Sequence, residues 1–500
     1  MDKSEQIYFK LSKILSNGIN VGDILIEMGI NKIFLYGYGE IGKKVYLMIR
    51  DKVKIVAIVD KGKNSKEEGI IINDISVLKN DCPILVTPSN LFNEITDELL
   101  LNGVNRKNIL ALNTILQYGY EKVLKEEYRI PSINQKQFLI TGAQFRNLGA
   151  QAMLFTAVDE LRKKFGDVTI WYCPIEQDDK KIYSREELNK YKFITLLDGY
   201  TRNSTMYEVK NGIDAVVDIS GFSLDSRRKS ERWELIFELA YKYKIPTYLM
   251  PQSYGELDYG IDNEHMKIVF SSIAKIFLRE SKDIEKFEKF NLTNLCLAND
   301  IVLQKKDIEL NNIFESSFNC KRINGPMDGV AIIPNVKNYA YGDKKEIIVL
   351  YKKIIEFLLS KKEEVYILCH SNDEQACLDI YEAYINNDHV HLIERFRYCF
   401  EFSEYIKNMK YCIASRYHSI VQAYRQNIPC VLIGWAEKYD SLAKIFNQSK
   451  YSFSVDELDI ASKVYARVVE MESNYLDEKT MISVVNNKRE RRNSFDILLE

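Results

Sequence analysis

The chain has 500 residues, 46% of them hydrophobic and 28% charged, with a formal charge of −2. This is the composition of a globular protein too long for one ordinary core, so about two to four domains are expected. The near-neutral balance excludes a global field directed at nucleic acid. No apolar run approaches the ~18 residues that would span a membrane.

The nine cysteines form no CxxC pair, and several sit in apolar strand-like runs. That predicts free thiols in a reducing compartment rather than disulfides or a zinc site. The first residues do not read as a signal peptide, so the protein is expected in the cytoplasm.

Residues 1–118 read as a first α/β block, Rossmann-like in pattern. A strand at 32–36 runs into Gly37-Tyr38-Gly39-Glu40-Ile41-Gly42, a helix follows, and a second strand at 53–59 ends in Asp60. Gly37, Gly39, Gly42 and Asp60 match a dinucleotide fingerprint: glycines for a tight turn and close backbone approach, a carboxylate for a ribose. Rossmann-like domains that bind other nucleotides, or nothing, keep the same spacing. No dehydrogenase-type catalytic partner follows, so an accessory domain is favoured over a bound nicotinamide cofactor.

Residues 119–135 are charged and read as a helix and linker. A second block at 136–328 begins with a strand at 137–141, followed by Asn147-Leu148-Gly149 at a helix start. Such a loop either cradles an anion or simply packs the helix. Further strand ends carry Ser220-Gly221-Phe222-Ser223, Pro251-Gln252-Ser253-Tyr254-Gly255, Leu278-Arg279-Glu280-Ser281 and Ala298-Asn299-Asp300. Together they predict one polar rim, with Arg279 placed for a carboxylate or phosphate.

The third block, 329–500, repeats strand and helix and ends in helices beyond about 457. Its informative stretch is Ser415-Arg416-Tyr417-His418-Ser419, which lies between an apolar strand and an amphipathic helix. Arg416 and His418 therefore sit at the carboxyl end of a strand, beside a helix N-terminus. That pair can hold an anion and move a proton. Lys438 follows the next strand on the same rim, and His370 is a second histidine at a strand end. His389 and His391 read as structural or solvated. The basic run Lys488-Arg489-Glu490-Arg491-Arg492 reads as a solvated helix face, giving at most peripheral contact with an anionic membrane. No metal-ligand cluster is visible.

These motifs, over roughly residues 137–450, resemble the polysaccharide pyruvyl transferase family. The most specific are Ser415-Arg416-Tyr417-His418 and Ile428-Pro429 with Glu437-Lys438 downstream. The resemblance implies a GT-B-like pair of Rossmann-like domains, here preceded by a smaller Rossmann-like domain. It also implies transfer of a pyruvyl group from phosphoenolpyruvate to sugar hydroxyls of a surface polysaccharide or its lipid-linked precursor. His418 is then the candidate acid/base. Arg416, Arg279, Lys438, Asn147, Gly149, Gly221, Ser223 and Gln252 are the candidate donor-binding residues. Phosphoenolpyruvate would be the co-substrate, with no further cofactor required. Ala150 stands where many members have aspartate, and Ser220-Gly221-Phe222 where many have a glycine run. The alternatives are a GT-B glycosyltransferase using a nucleotide-sugar, a catalytically silent binding member of a glycan-assembly system, and an NAD-dependent enzyme built on the first block.

Overall fold

The computed structural model describes residues 3–61, 65–67, 70–78, 82–175, 184–197, 199–200, 204–222, 224–225, 231–257, 263–305, 307–318, 325–326, 328–457, 459–488 and 493–500. Three sheets organise them. The first contains β1 (Lys32–Tyr36), β2 (Lys54–Val59), β3 (Ser65–Glu67), β4 (Ile70–Asn73), β5 (Ile84–Val86) and β6 (Ile109–Ala111), in the order β3-β4-β2-β1-β5-β6. The second contains β7 (Gln137–Thr141), β8 (Thr169–Cys173), β9 (Ile194–Thr195), β10 (Ala215–Asp218), β11 (Thr247–Gln252), β12 (Lys275–Leu278) and β13 (Leu295–Leu297). Its order is β13-β12-β11-β10-β7-β8-β9.

The third sheet contains β14 (Val330–Ile333), β15 (Val365–Leu368), β16 (Val390–Ile393), β17 (Tyr411–Ala414), β18 (Cys430–Gly434) and β19 (Ser452–Ser454), in the order β16-β15-β14-β17-β18-β19. Among the described residues every strand pairing is parallel except β3 with β4. The central strands are continuous apolar runs because helices cover both faces, as Thr169-Ile170-Trp171-Tyr172-Cys173 shows by being buried throughout. The second and third units form a GT-B-like pair of Rossmann-like sheets, and the first is a smaller sheet of the same kind.

The units are not separate beads. One apolar cluster joins Ile24 and Leu116 of the first unit to Leu139, Trp171 and Val216 of the second. The helix Leu112–Leu124 runs through residue 118. Its Ile115, Leu116 and Tyr118 are buried, and a side chain at Gly119 would meet Ile24 Cδ1 at 2.5 Å. A second cluster joins Phe155 and Phe314 to Tyr398 and Phe400 of the third unit. After the long helix Ile460–Lys488 the chain returns to the second unit, where Leu499 N donates to Tyr248 Oη at 2.8 Å and Ser494 N donates to Gln304 Oε1 at 2.8 Å.

Arg106 pins the seam between the first and second units. Its Nη1 donates to the carbonyls of Lys210, Asn211 and Ile213 at 2.6, 2.9 and 3.0 Å. Arg106→Ala removes a charged donor and leaves those carbonyls without it, a loss of about 2 kcal/mol. A fall in melting temperature of roughly 4–8 °C is expected by scanning calorimetry. An unchanged melting temperature would show that Arg106 is not needed to hold this seam, which Lys107 with Asp214 and Lys242 with Asp97 also bridge.

Candidate functional site

Strand order reverses between β7 and β10 in the second sheet and between β14 and β17 in the third. In open α/β sheets the crevice beyond such a reversal, at the carboxyl ends of the strands, is where ligands bind. Here the two reversals meet. A Cβ on Gly149, in the helix after β7, would lie 2.4 Å from His418 Cγ and Nδ1, in the helix after β17. Only a residue without a side chain lets these helix starts approach so closely. Gly221, at φ 69°, bounds the same slot, since its Cβ would fall 4.0 Å from His418 Cε1.

The turn carrying Arg416 and His418 is fixed from several sides. Asn335 Nδ2 and Tyr439 Oη donate to the Ser415 carbonyl at 2.9 and 3.0 Å. Arg416 Nε and Nη2 donate to Asp373 Oδ2 and Oδ1 at 2.5 and 2.6 Å. The sequence suggests a guanidinium fork closing on a ligand; in the structure the fork closes on Asp373. A fully buried carboxylate is too costly to leave without such a partner. Arg416 Nη1 remains without a hydrogen-bond partner among the described residues.

Arg279 is also engaged inside the chain. Its Nη1 donates to Asp300 Oδ2 at 2.5 Å, and its Nη2 donates to the Gly221 carbonyl and, at 3.1 Å, to Ser253 Oγ. Only 4% of its side chain is exposed, and its guanidinium lies 4.8 Å from the Tyr417 ring centre. His418 Nε2 stands 3.4 Å from the same Asp300 oxygen. Asp300 therefore links Arg279 to His418. Burial opposes its charge, but His418 and Arg279 outweigh burial and hold its carboxyl well below the usual range. Burial lowers the His418 pKa, Arg279 and Lys438 push it the same way, and Asp300 opposes them. The resting imidazole is thus neutral near pH 7 and able to accept a proton.

Lys438 stands differently. It makes no hydrogen bond or ion pair among the described residues. Its Nζ lies 5.2 Å from the Trp435 ring centre, 5.3 Å from Tyr417 and 5.9 Å from Phe222. Burial lowers its pKa to about 7, helped by Arg279, Lys337 and Arg416 and opposed by Glu280. A cluster of cations around an ammonium that has no ion pair among the described residues is a site that an anion completes.

The other candidates fall as follows. Asn147 caps its own helix, accepting from Gly149 N and Ala150 N at 3.0 and 3.3 Å, so its side chain is used locally. Gln252 is fully buried at the end of β11, with neither amide atom hydrogen-bonded among the described residues. Ser223 lies outside the described residues, as does most of the basic run after Lys488. His370 is buried near Arg416 and His418; burial first, then those charges, holds its pKa well below the ordinary value. His389 and His391 pair with Glu364 at the surface, each at 2.7 Å.

In the first unit Gly37 takes φ 91° and a side chain at Gly42 would strike the Gly37 carbonyl at 2.1 Å, so both serve the turn itself. Gly39 has open space, but Asp60 Oδ2 accepts from Tyr38 N at 3.0 Å. The adjoining cavity, about 280 Å³, is walled by Ser4, Ile7 and Tyr8 of the first helix and by Glu40. Glu40 pairs there with Lys44 at 3.0 Å.

Sequence reasoning missed Asp373 and Lys337. Asp373 sits just beyond the His370 strand end, and an acid at that place was the available signal. Lys337 lies in the turn Val336–Ala340 after β14, with nothing local to mark it.

Facing Rossmann-like sheets, with cations and a histidine where their reversals meet, give a GT-B-like architecture, and the family match makes the protein a transferase. The chain belongs to the polysaccharide pyruvyl transferase family, whose model matches residues 147–437. A second model, C2185-like N-terminal, matches residues 29–110. Among solved structures the chain is similar to a UDP-GlcNAc 2-epimerase from Methanocaldococcus jannaschii, with 14% identity, TM-score 0.45, and coverage of 71% of this chain and 100% of that one. It is also similar to the pneumococcal O-GlcNAc transferase GtfA, with 7% identity, TM-score 0.47, and coverage of 73% and 97%. No curated protein matches. Among the described residues no helix is long and apolar enough to cross a membrane.

Proposed function

We propose that the protein transfers a pyruvyl group from phosphoenolpyruvate to hydroxyls of a sugar in a polysaccharide or its precursor, lipid-linked precursors included. The observation that carries this is Lys438, an ammonium without a carboxylate partner among the described residues, set amid Arg279, Arg416 and Lys337. The donor carries a phosphate and a carboxylate close together. Lys438, Lys337 and the unpaired Nη1 of Arg416 hold those charges, while Asp373 fixes the angle of Arg416. Arg279 acts through Asp300, keeping it ionised against His418.

Ketal formation adds a proton at C3, joins hydroxyl oxygens to C2 and breaks the C2–O bond to phosphate. Of the hydroxyl protons released, one balances that gained at C3 and the other leaves on inorganic phosphate. Neutral His418 accepts the proton from the attacking hydroxyl, a role worth about 10²–10⁴-fold in rate.

The direct test is release of inorganic phosphate from phosphoenolpyruvate when sugar acceptors are added. Release of a nucleoside diphosphate from a nucleotide-sugar instead would move the chain to the glycosyltransferases. Donor binding supplies a second test. The free Lys438 amine has a pKa of about 7 against an ordinary 10.5, and a bound phosphate favours its charged form. Donor binding near pH 8 is therefore expected to take up a proton, seen by calorimetry in buffers of different ionisation enthalpy. Lys438→Met should abolish that uptake and weaken the donor by about 10–100-fold. Without donor, the folded state binds fewer protons than the unfolded state between these pKa values, so this group makes stability rise with pH from about 7 to 10.5. Donor binding without proton uptake would remove Lys438 from the anion site.

A further inference from the structure

We propose that an aromatic ledge of Tyr341 and Trp435 seats the acceptor sugar, which stacks its apolar C–H face on the exposed ring. This assignment rests on the pyruvyl-transfer reading of the neighbouring cation cluster. Trp435 follows β18, and Tyr341 follows the turn Val336–Ala340 after β14, so both lie at the carboxyl rim of the third sheet. Their rings stack at 5.1 Å between centres with an interplanar angle of 16°. Tyr341 remains 52% exposed despite this contact. A large ring held parallel to another, with half its surface in water, gains little for the core and offers a flat apolar plate.

The plate is also rigid and correctly placed. Gly342 N donates to the Asn338 carbonyl at 2.9 Å, and a side chain at Gly342 would lie 2.9 Å from the Val455 backbone oxygen. The loop bearing Tyr341 is thereby fixed before any ligand arrives, which lowers the ordering cost of binding. Lys438 Nζ lies 5.2 Å from the Trp435 ring and 5.9 Å from the ring of Phe222 of the second unit, which is 36% exposed. Lys337 Nζ lies 5.2 Å from Trp435. A pyranose has an apolar C–H face and a polar rim. An aromatic plate bordered by ammonium groups complements both and places ring hydroxyls beside the donor's anion site.

Trp435 supplies its own reporter. Of the chain's three tryptophans, Trp171 and Trp233 are buried, at 0% and 5% exposure. Binding is therefore read as a change in tryptophan emission on titrating a panel of methyl glycosides (galactoside, glucoside, mannoside and their N-acetylamino forms). The titration is run with phosphoenolpyruvate present, and donor binding is followed separately by thermal shift.

At least one glycoside is expected to alter the emission. Tyr341→Ala should weaken that sugar roughly tenfold, about 1.4 kcal/mol, with Tyr341→Phe retaining it and the donor's thermal shift unchanged in both. No response to any glycoside, or equal sugar affinity in Tyr341→Ala, overturns the ledge. If Tyr341→Ala proves unstable, Tyr341→Leu gives the same comparison with a side chain that still covers Trp435. Loss of the donor's thermal shift in the unaltered protein sinks the pyruvyl-transfer reading instead. A sugar response that persists in that case keeps the ledge as a sugar site.

Discussion

Gly149→Ala is expected to lower turnover by about 100-fold or more while leaving the three sheets intact. The added Cβ would lie 2.4 Å from His418 Cγ and Nδ1 and 2.5 Å from His418 Cβ, so either the imidazole or the start of the helix Leu148–Phe165 must move. The helix is not free to retreat. Leu148 N donates to Ser371 Oγ at 3.3 Å, and Gln151 joins the third unit through Cys399 N at 2.6 Å and the Arg397 carbonyl at 3.2 Å. The ring has Asp300 on one side and Gly221 on another. A displacement of about 1 Å at a reacting group costs ~10²-fold in rate, and overpacking costs about 1–3 kcal/mol in stability. Two observables separate these effects. In a His418→Gly background, which removes the Cβ at 2.5 Å together with the ring, the methyl group has room, so Gly149→Ala should then cost little stability, and the pair should be strongly non-additive. Additive stabilities, or turnover near that of the unaltered protein, would mean that the close approach of Gly149 to His418 does not set the geometry of the site.

The sequence carried the frame of this site better than its wiring. Tyr411-Cys412-Ile413-Ala414 is too short and apolar to be anything but a buried strand, and the polar residues after it had to form a turn. That placed Arg416 and His418 at a strand's carboxyl end, where the structure has them. What a linear pattern does not contain is the partner of each charge. Arg416 and Arg279 have the character of ligand-binding arginines, yet Asp373 and Asp300, 43 and 21 residues away in sequence, engage them. Those pairings depend on strand order in the sheets, which local periodicity does not encode. Gly149 illustrates the same limit. A glycine at a helix start could admit a ligand or a neighbouring helix, and only the meeting of the second and third units decides that His418 fills the space. The core shared by the first and second units was hidden for a related reason: Trp171 and Leu139 read as ordinary strand residues, and nothing in their spacing says which unit covers them.

Asp300→Asn should act on stability and on the site together. Asp300 is fully buried as a side chain and accepts from Arg279 Nη1 and, through Oδ1, from Val302 N at 3.0 Å. The amide keeps much of the shape but removes the charge that offsets Arg279, whose side chain is 4% exposed. An uncompensated buried cation costs about 3–5 kcal/mol, a melting temperature lowered by roughly 6–20 °C. The acid limb of stability gives an independent check. Because the folded-state pKa of Asp300 is depressed below its ordinary 3.8, its contribution is complete above that pH and is lost as pH falls below it. The unaltered protein should therefore lose stability more steeply below about pH 4 than Asp300→Asn, and the two curves should converge there. His418 loses a group that opposes its lowered pKa, so the basic form of the imidazole should persist to lower pH. The acid limb of the pH–rate profile should shift downward while turnover falls. A variant with unchanged melting temperature and an unshifted acid limb would separate Asp300 from both Arg279 and His418, and with it the coupling assigned to the centre of this site.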